Sequence, residues 1–329
     1  MNKKQMRTLR LLLGIIAVLA AALVVVLAVK SRQADQEAEE AAAQEQSGVI
    51  TPRQTYSAIS YHNGSVTLSF TVNEAGEWVW ADDPDFPLDD SNITAMADLL
   101  AALKPQQTIT EGDTLEAYGL DQPSATLTAT AADGETLTLS LGKATTDGTS
   151  YYMLMNGEES PVYIIADTLY KQMSKAIYDM CRLPELPDLS EASLETVILK
   201  GASTTVLKAA RPDGEDGAVT WTAGGADVTG REDLAAALSE LAALAPSRCV
   251  DYKPTDDAVS ICGLAEPAVT LTVVYASGGG SQTLALAFGG QTLDGAGRYF
   301  RIGDDATIYQ ADADSVDALM RMAENGLGA

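Results

Sequence analysis

Beyond residue 55, apolar and polar residues alternate in short runs, and Asn-Gly, Asp-Gly and Gly-Gly pairs separate many of these runs. Alternation with period two marks half-buried strands, and the glycine pairs mark hairpin turns. Ser57–Tyr61 and Ser65–Val72 read as a hairpin around Asn63-Gly64, a pair suited to a type I′ turn. Glu77–Trp80 predicts a third strand. Ser91 then fits the N-cap of a helix through Leu103. Ser124–Ala131 and Glu135–Leu141 predict a hairpin at Asp133-Gly134. Tyr151–Met155 and Val162–Ala166 predict a strand pair, and a closing helix runs from Asp167 to Tyr178.

Pro184 and Pro187 mark a linker, after which the same order returns. Strands are predicted at Leu194–Leu199, Thr204–Ala210 and Val219–Thr222. A helix over Arg231–Leu244 carries Leu234, Leu238 and Leu241 on one stripe. A hairpin joins Val269–Tyr275 to Thr283–Phe288 across Gly278-Gly279-Gly280. Short strands at Tyr299–Ile302 and Thr307–Tyr309 and a helix over Asp312–Glu324 finish the chain. Hairpin connections imply antiparallel sheets, so the expected class is α+β.

The echo between the halves extends to single residues. Tyr118-Gly119-Leu120-Asp121-Gln122-Pro123 answers Cys262-Gly263-Leu264-Ala265-Glu266-Pro267. Trp80 is matched by Trp221, Lys104-Pro105 by Ala245-Pro246, Leu141-Gly142 by Phe288-Gly289, and Val162-Tyr163 by Ile308-Tyr309. An offset of about 141 to 147 residues is too long for a solenoid unit and indicates two tandem domain-sized repeats. Within the motif, Gly119 and Gly263 free the backbone for a positive φ, Leu120 and Leu264 plug the core, and Pro123 and Pro267 lead into the next strand. The structural reading is a chain corner. The functional reading is a backbone ligand site.

Leu11 to Val29 is free of charge and proline. About 19 apolar residues at 1.5 Å each approach the ~30 Å hydrocarbon thickness. The run is longer than a signal-peptide core and ends in Lys30-Ser31-Arg32, which favours a retained anchor over a cleaved signal. Lys3, Lys4, Arg7 and Arg10 precede it, and only Lys30 and Arg32 follow closely. That bias places the N-terminus in the cytoplasm and the rest outside, as a single-pass cell-membrane protein. The expected organisation is a basic tail at 1–8, a transmembrane helix at 9–30, an acidic helical stalk at 31–54 and repeats at 55–183 and 184–329.

Net charge is −25, and all 46 acidic residues follow the span. Such a surface repels nucleic acid and suits cations or basic partners, although solvated faces account for most of it. Cys181, Cys249 and Cys262 form neither a disulfide framework nor a zinc motif. Unpaired thiols are the plainer reading, with a Cys249–Cys262 bridge as the alternative. His62 is the single histidine, beside a turn, and reads as a surface residue. No phosphate loop is present, since Leu137 stands where the first glycine belongs. Ser140-Leu141-Gly142-Lys143 has the Ser-x-x-Lys spacing of penicillin-binding enzymes but lacks their partner motifs. The acidic pairs at 82–83, 89–90, 256–257 and 304–305 lack calcium-loop spacing. Trp78 and Trp80 share one strand face, as a sugar-stacking platform would require; the matching Val219 and Trp221 favour core instead. No catalytic residue, cofactor or metal ligand is assigned.

With its N-terminal span, Leu- and Ala-rich helix, Tyr118-Gly119-Leu120-Asp121-x-Pro123 segment, Asp-Gly hairpin ending in Leu-Gly, Tyr151-Tyr152 strand and Val162-Tyr163 strand, the chain resembles the bacterial domain-of-unknown-function family numbered 4340. The resemblance occurs once per repeat between Thr55 and Glu324. The second copy departs at Cys262, Ala265 and Glu266, and Tyr299-Phe300 replaces its Tyr-Tyr pair. The resemblance implies membrane-anchored envelope proteins, some accompanying transporter components of the gliding-motility type, with no catalytic residues to carry over. The expected function is therefore a non-catalytic extracytoplasmic protein that binds or braces a protein partner, with an accessory role in an ABC-type transporter complex as one form of it. The alternatives are a ligand-binding module for a cell-wall polymer or cationic solute and, behind that, a cell-envelope hydrolase.

Overall fold

The computed structural model describes residues 48–52, 54–211 and 218–327. The expected span at 9–30 lies outside the described residues, as does most of the stalk. Among the described residues no helix is long and apolar enough to cross a membrane.

Alternating residues build two antiparallel sheets. The first contains β1 (Tyr56–His62), β2 (Thr67–Val72), β3 (Trp78–Trp80), β4 (Gln107–Ile109), β5 (Ala125–Ala131), β6 (Thr136–Ala144), β7 (Ser150–Met155) and β8 (Val162–Ala166), in the order β3-β2-β1-β5-β6-β7-β8-β4. The second contains β9 (Leu194–Lys200), β10 (Thr204–Ala210), β11 (Thr220–Ala223), β12 (Ala226–Asp227), β13 (Arg248–Asp251), β14 (Val269–Ser277), β15 (Gly280–Gln291), β16 (Gly297–Ile302) and β17 (Ile308–Asp312). Its order is β12-β11-β10-β9-β14-β15-β16-β17-β13. Apart from the added edge strand β12, the two sheets follow one strand order. The helices are α1 (Ser91–Ala101), α2 (Leu115–Tyr118), α3 (Thr168–Met173), α4 (Glu232–Ala243), α5 (Asp256–Ile261) and α6 (Asp317–Asn325). Antiparallel sheet with segregated helices is the α+β arrangement.

By backbone contacts the chain divides into two compact units. Among the described residues, one comprises those up to Ile59 with Ala95–Tyr170, and the other comprises Ser60–Thr94 with those from Lys171 onward. In the first unit, Ala125, Leu127, Ala129 and Ala131 of β5 and Leu137, Leu139 and Leu141 of β6 are all buried. Their spacing by two places them on one face of each strand. In the second unit, one cluster joins Leu199, Trp221, Phe288 and Phe300 to Leu234, Leu238 and Leu241 of α4 and to Leu319 and Met322 of α6. Burying each leucine stabilises by roughly 1.5–3 kcal/mol, so the predicted stripe of α4 anchors that helix. The Glu240 carboxylate of α4 accepts from the backbone N–H groups of Ala318 (2.7 Å) and Leu319 (3.0 Å), satisfying free donors at the start of α6.

Several local expectations change. Asn63 keeps a negative φ, and Gly64 alone takes the left-handed region at 82°. The Asn63 Oδ1 accepts from Ser65 and Val66 N–H instead, so the turn is not type I′. At the other hairpin, Gly278 (φ 58°) and Gly279 (φ 84°) form a two-residue loop closed by Ser277 and Gly280, the positive-φ pair that a type I′ turn needs. Ser91 is the first residue of α1 rather than its cap. The Asp90 carbonyl accepts from Thr94, which puts Asp90 at the N-cap position, and the helix stops at Ala101. Trp221 is fully buried, but Trp78 and Trp80 are half-buried.

Candidate functional site

The six motif residues form two chain corners of one design. Thr114 caps α2 by accepting from Ala117 N–H (3.4 Å), and Thr255 caps α5 by accepting from Ala258 N–H (3.2 Å). Each helix is too short to persist alone, so its end must be fixed by tertiary contacts. Gly119 (φ 67°) and Gly263 (φ 70°) follow the helices in the left-handed region. Gly119 N–H donates to Glu116 O and Leu120 N–H to Leu115 O. Gly263 N–H donates to Ser260 O and Leu264 N–H to Val259 O. This is the Schellman pairing in both copies, with Leu120 and Leu264 buried as its apolar plugs. Pro123 and Pro267 stand two residues ahead of β5 and β14. The glycines of the Leu-Gly and Phe-Gly pairs complete each corner: a Cβ on Gly142 would lie 2.3 Å from Tyr118 O, and one on Gly289 2.1 Å from Cys262 O. These contacts give Gly119, Leu120, Gly263 and Leu264 a structural part, and none of the six motif residues lines the cleft described next.

Strand register also corrects one match. Leu141 pairs with Met153 and Phe288 with Phe300, so Phe300 answers Met153 and Tyr299 answers Tyr152. His62 is exposed, with Nδ1 3.1 Å from the Thr67 hydroxyl. Among the described residues, no group of three or more His, Cys, Asp and Glu side chains is placed to hold a metal ion.

Within the second unit, the loop after β3, the segment after Cys181, the end of β13 and the turn before β17 enclose a cleft of about 530 Å³. Asp85, Arg182, Glu185, Tyr252, Asp305 and Tyr309 line it. Three carboxylates against one guanidinium make it acidic. Tyr309 O–H donates to Asp305 (2.8 Å), as does Thr307 N–H (2.9 Å). Burial pushes the Asp305 carboxyl up, but these donors outweigh it and hold the group below the usual carboxylate range. Burial, followed by its bond to Asp305, pushes the Tyr309 phenol up. At neutral pH the carboxylate therefore stays charged and the phenol neutral.

Aromatic packing supports this wall. Phe86 is buried, edge-on to Trp80 (5.5 Å) and Tyr252 (5.2 Å) and stacked on Tyr178 (6.1 Å). Tyr252 O–H donates to the Asp85 carbonyl (2.8 Å), Lys253 pairs with Asp83 (2.5 Å), and Tyr178 O–H donates to Asp251 (3.2 Å). All three cysteines are unpaired and buried. Cys249 neighbours Cys181, not Cys262. Cys181 S–H reaches the Arg182 carbonyl (3.7 Å), and the Cys249 thiol lies beside that of Cys181. Sequence reasoning missed the cleft because its walls come from four distant segments.

Residues 78–223 match the model of a family described as a domain of unknown function (DUF4340). The match covers less than half of the chain and supports assignment of that stretch to the family. It begins at β3 and ends at β11, the strand in the corresponding place in the second sheet, so it spans one period of the shared strand order. No curated protein matches the chain. No solved structure matches it.

Proposed function

We propose that this chain is a non-catalytic, membrane-anchored extracytoplasmic protein that binds or braces a protein partner, and that the acidic cleft receives a basic segment of that partner. The observation that carries the reading is the cleft's charge: its lining holds the carboxylates of Asp85, Glu185 and Asp305 against the single guanidinium of Arg182, with Arg301 beside Asp305 and Lys253 near Asp85. In a chain of net charge −25, that surface attracts cations over a Debye length of about 8–10 Å. Proton transfer near neutral pH needs a group that titrates there, and both Asp305 and Tyr309 are driven away from it. The uncharged run Leu11–Val29 and its basic flank support the membrane placement. An envelope transporter complex is the partner class suggested by the family resemblance. Crosslinking in native membranes followed by mass spectrometry tests the reading. Recovery of one protein through a Lys/Arg-rich segment is expected. Protection of the folded body from added protease in intact cells would contradict the placement.

A second reading has its own observation. The cleft volume falls within the roughly 300–1,000 Å³ usual for small-molecule sites, and a cationic solute would fit the same charge. Melting-temperature shifts with low-millimolar polyamines, absent with neutral polyols, would favour it over a protein partner.

A further inference from the structure

We propose that Cys181 and Cys249 are a redox-active dithiol that closes to a disulfide by exchange with an external disulfide. The two residues lie 68 positions apart in the sequence, but the fold places them together through contacts independent of the sulfurs. Cys181 follows a short 3₁₀ turn (Ile177–Met180) and bridges Leu88. On either side of Cys249 in β13, Arg248 reaches Asp179 of that turn (3.8 Å) and Asp251 accepts from Tyr178 (3.2 Å). This lateral stitching holds the turn against β13, the edge of the second sheet. The two cysteines lie side by side between those contacts, close enough for each thiol to act on the other's proton affinity.

The environment gives the thiols different roles. The neighbouring Cys249 holds the Cys181 thiol below its ordinary pKa, while the neighbouring Cys181 and burial push the Cys249 thiol up. Cys181, 8% exposed, is also the more accessible; Cys249 is fully buried. Asp305, Asp251, Tyr309 and Tyr178 are the other titratable groups around the pair. In the exchange, the Cys181 thiolate attacks one sulfur of an external disulfide RSSR, forming a mixed disulfide and releasing RS⁻. Cys249 then loses its proton and attacks the Cys181 sulfur, which forms the internal S–S bond and expels the second RS⁻. The protein loses two electrons and two protons, and RSSR becomes two RSH. The bond would staple the segment entering Pro184 to the sheet edge, one wall of the cleft. It depends on neither the membrane anchor nor the partner-binding reading.

The test uses the reduced full chain, exposed natively to glutathione disulfide and, separately, to the smaller cystamine. Products are acid-quenched, unfolded and alkylated with a maleimide. Wild type and Cys262→Ser should each lose two hydrogens, yield a peptide joining Cys181 to Cys249, and lose two alkylatable thiols. Oxidised wild type should melt roughly 5–10 °C higher than reduced, as expected for a long closed loop. Cys249→Ser should stop at a mixed disulfide on Cys181. Retention of all three thiols in wild type with both oxidants, or a bridge through Cys262, overturns the proposal.

Discussion

The carbonyl oxygen of Cys262 sits directly against the α-carbon of Gly289, where a Cβ would be only 2.1 Å away. The neighbouring Gly290 N–H donates to that same oxygen at 2.9 Å. The corner after α5 and the irregularity in β15 between Phe288 and Gln291 therefore fix each other. Tyr118 and Gly142 repeat the relationship in the first sheet, with a Cβ at 2.3 Å.

Gly289→Ala and Gly142→Ala should each destabilise by about 1–3 kcal/mol, because the added methyl must push backbone away rather than a side-chain tip. Urea midpoints of the purified full chain measure this. Midpoints equal to wild type would show that the corners yield freely.

Gly263→Ala and Gly119→Ala should cost about 1 kcal/mol or more each, since both positions hold φ near +70°. Gly134→Ala, with φ of 92° but open space around its Cβ, separates backbone strain from crowding. A loss confined to Gly119 and Gly263 would assign the cost to crowding alone.

Much of this architecture was legible from the sequence. Leu137, Leu139 and Leu141 show period two, and Leu234, Leu238 and Leu241 show the helical stripe, because burial on one face imposes both patterns. The short helices α2 and α5 were missed: four or six residues carry no stripe, and only Thr114 and Thr255 signalled them as N-caps. Edge strands β4 and β13 were missed because partly exposed strands of three or four residues show little alternation. Within the cleft, Arg182 and Asp305 became neighbours only through tertiary folding, so no local pattern marked either. The closeness of Cys181 to Cys249 was hidden for the same reason.

Glu240→Gln should lower stability by about 1 kcal/mol, and Glu240→Ala by more, because the carboxylate satisfies two N–H groups at the start of α6. Thermal melting checks the order wild type, Gln, Ala. Equal melting for all three would mean that water replaces the carboxylate without cost.

Asp305 makes stability depend on acid. Its folded pKa lies below the ordinary carboxylate value, so its contribution is complete above the unfolded pKa of about 3.9 and fades as pH falls through the folded value. The urea-midpoint gap between wild type and Asp305→Asn should be largest at pH 7 and shrink by pH 3. Tyr309→Phe, which removes one donor and so moves the folded pKa of Asp305 back toward its unfolded value, should show a smaller acid-dependent loss of stability than wild type. A gap that stays constant with pH would dissociate Asp305 from the acid response.

The most direct test of partner binding places a photocrosslinking amino acid at exposed Glu185 on the cleft rim, in the full chain, in native membranes. Irradiation should yield one discrete protein adduct whose crosslinked peptide is rich in Lys and Arg. The yield should fall at high salt and fall again when Asp85 and Asp305 are both changed to Asn. Absence of any protein adduct, or one indifferent both to salt and to those two substitutions, would contradict an acidic cleft that receives a basic partner segment.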